Sequence, residues 1–442
     1  MKLYSHQKET LRFGLTRNVY ADTSDPGTGK TIANLAVFSE RLKVEKGLKA
    51  LVLCPRAVIF DAWIKDAAHF NNIRPVAVVG TREQKLKAFA EEANLYVTNY
   101  ETLNQPFNWD TQFFQVLIAD EAVKLKNPQA KLVKQALILS RRAKYKTILS
   151  GLITPNTLLE IWSPFEFLQR EVLGRSYWSF RIKYFRPNPF SYQGREWLPQ
   201  PDAEKRIMDI LNPMIIRHEK SKCLDMPEKV HSIREIQLSP AQMRHYKEFL
   251  SSMISKIDNV EITATTKVNM LNKLAQICSG FAYDNYQIPR FTDNSKLVEL
   301  KDLLAGELVN EQVLIFYNFR AEVELFRQEF PDAAFIEGGQ SSAVTEKAIA
   351  DFKSGAKRLM FASIKAAKYG LTFTNAAYTI YFSLNYSLDD FYQSQDRTHR
   401  IGQVRTVNYI YLLTAKTVER RIYAALQKKQ SLNDMLFELM GK

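Results

Sequence analysis

Between residues 25 and 31 the chain reads Asp25-Pro26-Gly27-Thr28-Gly29-Lys30-Thr31, a run suited to holding a polyphosphate. Its glycines let backbone N–H groups close around phosphate oxygens, the Lys30 amine reaches the terminal phosphates, and the Thr31 hydroxyl can ligate magnesium. Ser24 stands where such loops usually carry their first glycine. Further on, the apolar run Val116-Leu117-Ile118-Ala119 ends in Asp120-Glu121. Carboxylates at the tip of a buried strand suit metal-assisted hydrolysis, with Asp120 holding magnesium through water and Glu121 orienting the attacking water. Near the other end, Arg397 and Arg400 are three residues apart. On one side of a helix turn, both guanidinium groups can face a γ-phosphate. Together these residues predict ATP as substrate with Mg2+ as its cofactor.

Such a site needs strands that end at the loop and helices that start from it. From residue 1 to about 170, β-rich runs alternate with amphipathic stretches, the pattern of a parallel sheet with crossover helices. Strands are expected at Val19–Ala21, Ala50–Cys54, Val76–Val79, Leu95–Thr98, Val116–Ala119 and Thr147–Leu149, with helices over Lys30–Arg41 and Ala57–Phe70. A second series predicts strands at Val313–Phe316, Ala334–Ile336, Arg358–Phe361, Tyr378–Phe382 and Val407–Leu412. The fold class expected is α/β, with two lobes built on parallel sheets flanked by helices. The expected domains are an N-terminal ATP-binding lobe at 1–225, a helical joint or protrusion at 226–294, and a C-terminal lobe at 295–442. The first includes an aromatic and basic accessory segment near 171–200, and the joint is strongly helical from Ala241 to Ile277.

Composition bounds the partners. With 61 Lys+Arg against 47 Asp+Glu, the 442-residue chain carries a net +14, which favours a polyanion such as nucleic acid. No apolar run is long enough to span a bilayer, so no membrane partner is expected. Three separated cysteines, Cys54, Cys223 and Cys278, match neither zinc spacing nor a disulfide framework, and are expected to be reduced thiols in a cytoplasmic monomer.

Taken together these residues resemble the Swi/Snf-type branch of superfamily-two helicases and translocases, over nearly the whole chain. The resemblance implies two RecA-like lobes and a compact bacterial or bacteriophage enzyme. Tyr4, His6 and Gln7 are similar to the family's adenine-reading segment, with Gln7 as the base contact. Cys54-Pro55-Arg56 and Val97-Thr98-Asn99-Tyr100-Glu101 resemble motifs Ia and Ib, which implies that Arg56, Asn99 and Tyr100 touch a DNA backbone. Asp120 to Asn127 is similar to motif II. Asn318 and Phe319, after Leu314-Ile315-Phe316, resemble motif IV, and Gly370-Leu371-Thr372 resembles motif V. The most specific match is Gln393 to Gln403, which resembles motif VI and contributes Gln393, Arg397 and Arg400. The chain departs from the family after Ser150-Gly151, where Leu152-Ile153-Thr154-Pro155-Asn156 replaces the usual Gly-Thr-Pro of motif III, the segment that couples hydrolysis to movement.

Between Arg175 and Trp197 lie eight aromatics, Trp178 among them, interleaved with Arg175, Arg181, Lys183, Arg186 and Arg195, and Glu196 is the only acid. Such a mixture can stack on unpaired bases while its cations hold phosphates. It can equally be a satellite core with basic residues reaching outward. The expected activity is ATP-dependent movement on duplex or branched DNA, including remodelling of forks or four-way junctions and strand separation. An RNA helicase, or a scaffold with weak ATPase activity, are the alternatives.

Overall fold

Runs such as Ala50–Cys54 and Val313–Tyr317 are apolar at every position, the signature of a strand covered on both faces. In the computed structural model both are central strands of parallel sheets, one in each of two compact units, Met1–Asp225 and Met226–Lys442. The structure describes residues 2–107, 109, 114–151, 157–188, 197–223, 226–259, 264–281, 294–365, 372–400 and 402–428.

The first unit holds β1 (Val19–Asp22), β2 (Ala50–Cys54), β3 (Pro75–Ala77), β4 (Leu95–Asn99), β5 (Val116–Asp120) and β6 (Tyr145–Leu149). A small antiparallel pair follows, β7 (Phe185–Pro187) with β8 (Trp197–Pro199), and then β9 (Ile215–Ile216). The main sheet has the order β3-β4-β2-β5-β6-β1-β9, with every pairing parallel. Side chains of a strand alternate between faces. Accordingly Leu51 and Leu53 enter one apolar cluster, while Ala50, Val52 and Cys54 enter another on the opposite face.

The second unit contains β10 (Lys229–Ile236), β11 (Val313–Tyr317), β12 (Ala334–Ile336), β13 (Leu359–Ser363), β14 (Tyr378–Tyr381) and β15 (Val407–Thr414), in the order β10-β15-β14-β11-β13-β12. Leu314 and Phe316 face one core, and Val313, Ile315 and Tyr317 the other. Two helices at Pro240–Asn259 and Ala264–Cys278 precede β11. Leu271, Leu274 and Cys278 of the latter lie in the same cluster as Phe316 and Tyr411, so this stretch shares the core of the second unit.

The expected strands are found within one or two residues at each end, and β7, β8, β9 and β10 are additions. β10 pairs with β15 over eight residues, from Lys229↔Val407 to Ile236↔Thr414, yet it is an exposed edge strand with mixed polarity. The expected regular helix at Ala57–Phe70 is instead a π-helical run, Ile59–Ile64, followed by one α-turn, Lys65–Ala67. The wider turn carries the buried Trp63. Among the described residues no helix is long and apolar enough to cross a membrane, and all three cysteines are free.

One ionic contact closes the second unit. Lys296 Nζ lies 2.7 Å from Glu419 Oε1, both side chains almost fully buried, and Glu419 Oε2 accepts from the Thr414 amide and hydroxyl at the end of β15. Removing one member strands the other charge in a dry interior. Glu419→Gln is expected to destabilise the second unit by about 3–5 kcal/mol, read as a shift in its urea transition. A shift under about 1 kcal/mol would show that the pair is dispensable.

Candidate functional site

β1 runs into the loop at 23–29, and the helix Lys30–Val44 leaves from it. The loop can be so tight because Gly27 and Gly29 adopt φ of +84° and +81°, where a side chain would be strained. At Gly29 a Cβ would also sit 2.3 Å from Gln7 Nε2. Lys30 Nζ lies inside the loop, donating to the carbonyls of Ser24 at 2.6 Å and Asp25 at 3.3 Å. Thr31 follows in the first helical turn.

The loop is pinned from three sides. From the N-terminal helix, Ser5–Leu15, the His6 ring donates to Thr28 O at 2.8 Å, and Gln7 Nε2 donates to the same carbonyl at 3.3 Å. Gln7 Oε1 takes the Tyr4 amide, so both ends of its side chain are engaged within the protein. From the far end of the unit, just past β9, the His218 amide donates to Ser24 Oγ and its carbonyl accepts from the Asp25 amide. The Lys220 amide donates to Asp25 Oδ2 at 3.0 Å. Ser24, at the position where a glycine was expected, therefore holds the distant 218 segment through its hydroxyl. From β6, Gly151 packs so closely that a Cβ would lie 2.9 Å from the Pro26 ring. Residues 152–156, where the chain departs from the pattern of the family it resembles, lie outside the described residues.

Asp22 is a site residue that sequence reading missed. Its buried carboxylate accepts from the Ser24 amide and from Asn34 Nδ2, tying strand, loop and helix together. The signal was available, since a carboxylate ending a buried strand just before a glycine loop must be satisfied locally.

Asp120 and Glu121 sit at the C-terminal tip of β5, with β6 between it and β1. Trp63 Nε1 donates to Asp120 Oδ2 at 2.9 Å, and the Glu121 amide donates to Oδ1 at 3.0 Å. Burial raises the Asp120 carboxyl above its ordinary range, while the Trp63 hydrogen bond and the Lys30 ammonium oppose that shift. Glu121 takes the left-handed conformation, φ +52°, a region that non-glycine residues populate sparsely. Trp63 is the second residue missed, because an aromatic in an apolar stretch reads as core until its N–H is followed.

Tyr100 needs correction. Expected on a DNA surface, it is 1% exposed, and its hydroxyl donates to Asp120 O at 2.8 Å. Its ring belongs to the core of the unit, with only the hydroxyl used for the site. Next to it, Asn99 is half-buried, donates to Glu101 and accepts from the Thr102 hydroxyl, whereas Arg56 is exposed. In the accessory segment the two readings divide by residue. Phe180, Tyr184 and Phe185 are core, while Trp178 is 58% exposed and Lys183 is exposed. The Arg181 guanidinium lies 4.2 Å over the Trp197 ring.

In the second unit the helix Leu388–Gln395 ends before the arginines, so Arg397 and Arg400 lie in the turn that follows rather than on a helix. The Gln395 carbonyl is taken by the Tyr409 hydroxyl and by the amides of Thr398 and His399, which closes the helix end. Both arginines lie against the segment expected to be motif V: Arg397 O accepts from the Phe373 amide, and Arg400 Nη1 donates to the Thr372 hydroxyl at 3.0 Å. Arg397 is only 8% exposed. Gln393 is held by Asp389 at 2.8 Å, and Gly370 lies outside the described residues. Phe319, expected at a DNA surface, is instead buried edge-on against Phe281, because the loop after β11 turns its ring into the core. Asn318 is half-buried, its amide donating to Glu322 and Ser383.

Comparison with known proteins gives two matches, the first of which runs past Asp225 into the second unit. Residues 6–280 match the SNF2-related domain, and residues 295–402 match the helicase conserved C-terminal domain. An uncharacterised ATP-dependent helicase of Mycoplasma genitalium is 25% identical, over 97% of this chain and 42% of that protein. Zorya protein ZorD of Escherichia coli is 27% identical, over 93% of this chain and 42% of its own length. This chain thus spans less than half the length of these relatives. A solved SWI2/SNF2 ATPase core of Sulfolobus solfataricus in complex with dsDNA is similar at 23% identity and a TM-score of 0.47, covering 97% of this chain and 91% of that one. The SNF2-related match alone takes in more than half of the 442 residues and includes the whole pinned loop and the Asp120-Glu121 pair, and by it the chain belongs to the SNF2-related family.

Proposed function

We propose that this chain is an ATP-driven motor that moves on DNA, acting on duplex or branched substrates. The observation that carries the reading is the meeting, at one end of one sheet, of a glycine loop enclosing Lys30 with a carboxylate, Asp120, whose ionisation that lysine favours. In this reading the loop amides and Lys30 take the β- and γ-phosphates of ATP, with Lys30 exchanging the carbonyls of Ser24 and Asp25 for phosphate oxygens. Glu121 orients the attacking water. Arg397 and Arg400 are the cations assigned to stabilise charge on the γ-phosphate, so its loss alters the grip on the nucleic acid.

The donor set fits magnesium, since a threonine hydroxyl and a carboxylate oriented by an indole are hard oxygen ligands. Thr31 and Asp120 would hold the ion, which neutralises charge on the phosphates when bound. Trp63 keeps the Asp120 carboxylate aimed, and the Tyr100 hydroxyl fixes the backbone at the same residue. Support for DNA as the track comes from the net charge of +14, from exposed Arg56 beside half-buried Asn99, and from the relatives named as helicases.

Phosphate release measured with duplex DNA, single-stranded DNA and RNA tests the assignment, and duplex or forked DNA is expected to stimulate most. Stimulation by RNA alone would make the chain an RNA helicase. No stimulation, with Lys30→Ala and Glu121→Gln unchanged from wild type, would leave a binding scaffold. Both variants are expected to lose stimulated turnover by at least about a hundredfold. Trp63→Phe keeps the packing and removes the donor to Asp120, so a fall of about tenfold, partly restored by excess Mg2+, is expected in the same assay. DNA affinity should fall with salt at a log–log slope of about −0.9 per neutralised phosphate, and a flat titration would contradict a phosphate track.

A further inference from the structure

The accessory segment ends in a feature that nucleotide chemistry does not use. On the helix Tyr177–Tyr184, Phe180 and Tyr184 turn into the core, while Trp178 and Ile182, four residues apart, are 58% and 53% exposed. Trp197, on β8, meets Trp178 edge-on, with ring centroids 5.9 Å apart and an interplanar angle of 70°. The Arg181 guanidinium is layered on both indoles, 4.2 Å from the Trp197 centroid and 5.2 Å from that of Trp178. Arg181 thus covers one face of Trp197, and the ring with most surface left open is Trp178.

A half-exposed tryptophan contributes little to the fold, and its outward neighbour Ile182 adds apolar surface to water rather than to a core. Charge restricts what can cover this surface. Among the described residues none of Arg181, Lys183 and Arg186 has a carboxylate partner, although ion pairs are common elsewhere on the unit, as at Lys144–Glu45 and Lys126–Glu160. An occupant must therefore bring flat apolar faces and negative charge in alternation. Paired bases of a duplex hide their faces in the stack, whereas an unpaired strand presents both faces and phosphates at each step.

We propose that Trp178, braced by Arg181 and Trp197, is a stacking site for unpaired nucleobases, with Lys183 and Arg186 holding the phosphates beside them. The inference extends the motor reading by giving the first unit a contact for single strands at the edge of a duplex. Strand tails could be DNA or RNA, since the stacking chemistry is shared.

Binding without nucleotide, measured by fluorescence anisotropy, separates this inference from ATP turnover. The probes are a blunt DNA duplex and the same duplex carrying an unpaired DNA tail or an unpaired RNA tail. Wild-type protein should prefer at least one tailed duplex to the blunt one. Trp178→Ala should cut that preference by about tenfold, and Trp178→Phe should retain most of it. Trp178 lies at the surface, 58% exposed, so its removal opens no cavity in the core, and an unchanged melting curve verifies the fold. Equal affinity of wild type for blunt and tailed probes overturns the proposal, as does a tail preference that survives Trp178→Ala or an equal loss on all three probes. A chain that hydrolyses ATP on duplex DNA yet ignores tails keeps its motor assignment and loses this site, and one that binds tails without turnover does the reverse.

Discussion

A loop that presents its amides to a polyanion is an arrangement of like dipoles, and it holds its shape only if something else holds its outside. Here that burden falls on three sequence-distant contacts made to Thr28, Ser24–Asp25 and Pro26. The first comes from the N-terminal helix, the second from a segment about 190 residues later, and the third from the strand β6 beside β1. Each fixes a different stretch of a backbone whose glycines would otherwise sample many conformations. The seven-stranded sheet is the frame that brings the three together, and its apolar strands exist to make that frame rigid.

The second constraint is shared occupancy of Asp120. Its carboxylate is aimed by Trp63, which follows β2, and its carbonyl is held by Tyr100, which follows β4. Tyr100 follows Asn99 directly and Trp63 lies on the helical run after Arg56, the segments read as a backbone track. A displacement of either segment therefore arrives at the proposed metal ligand through a single hydrogen bond. The strained backbone of Glu121 adds to this, since a residue held off its preferred region responds to small changes in its neighbours.

Much of this was legible in sequence because the chemistry uses short, local runs. The loop at 25–31, the acidic strand tip and the central strands declare themselves through glycine spacing and unbroken hydrophobicity. What escaped is what depends on distance along the chain. Asp22 lies just past the expected strand Val19–Ala21, Trp63 falls inside the expected helix Ala57–Phe70, and His218 falls in no expected element, its partners Ser24 and Asp25 being remote. Tyr100 and Phe319 misled for the opposite reason: they belong to motif-like runs, but their rings face inward where the core needs volume. The arginines were identified by spacing, while the helix thought to carry them ends at Gln395, whose carbonyl accepts from the Tyr409 hydroxyl as well as from the Thr398 and His399 amides. β10 hid because an edge strand needs no alternating apolar face.

That edge strand also bears on how the second unit is made. Among the described residues β10 pairs only with β15, which leaves the ribosome about 170 residues later. At a synthesis rate of roughly 5–20 residues per second, β10 waits on the order of ten to thirty seconds with its ladder groups unpaired. Parallel pairing across so long an interval is slow to nucleate, because chain closure precedes any contact that rewards it. The nascent chain is thus most exposed to mispairing just before β15 emerges, and the mixed polarity along β10 disfavours pairing of the waiting strand with another chain.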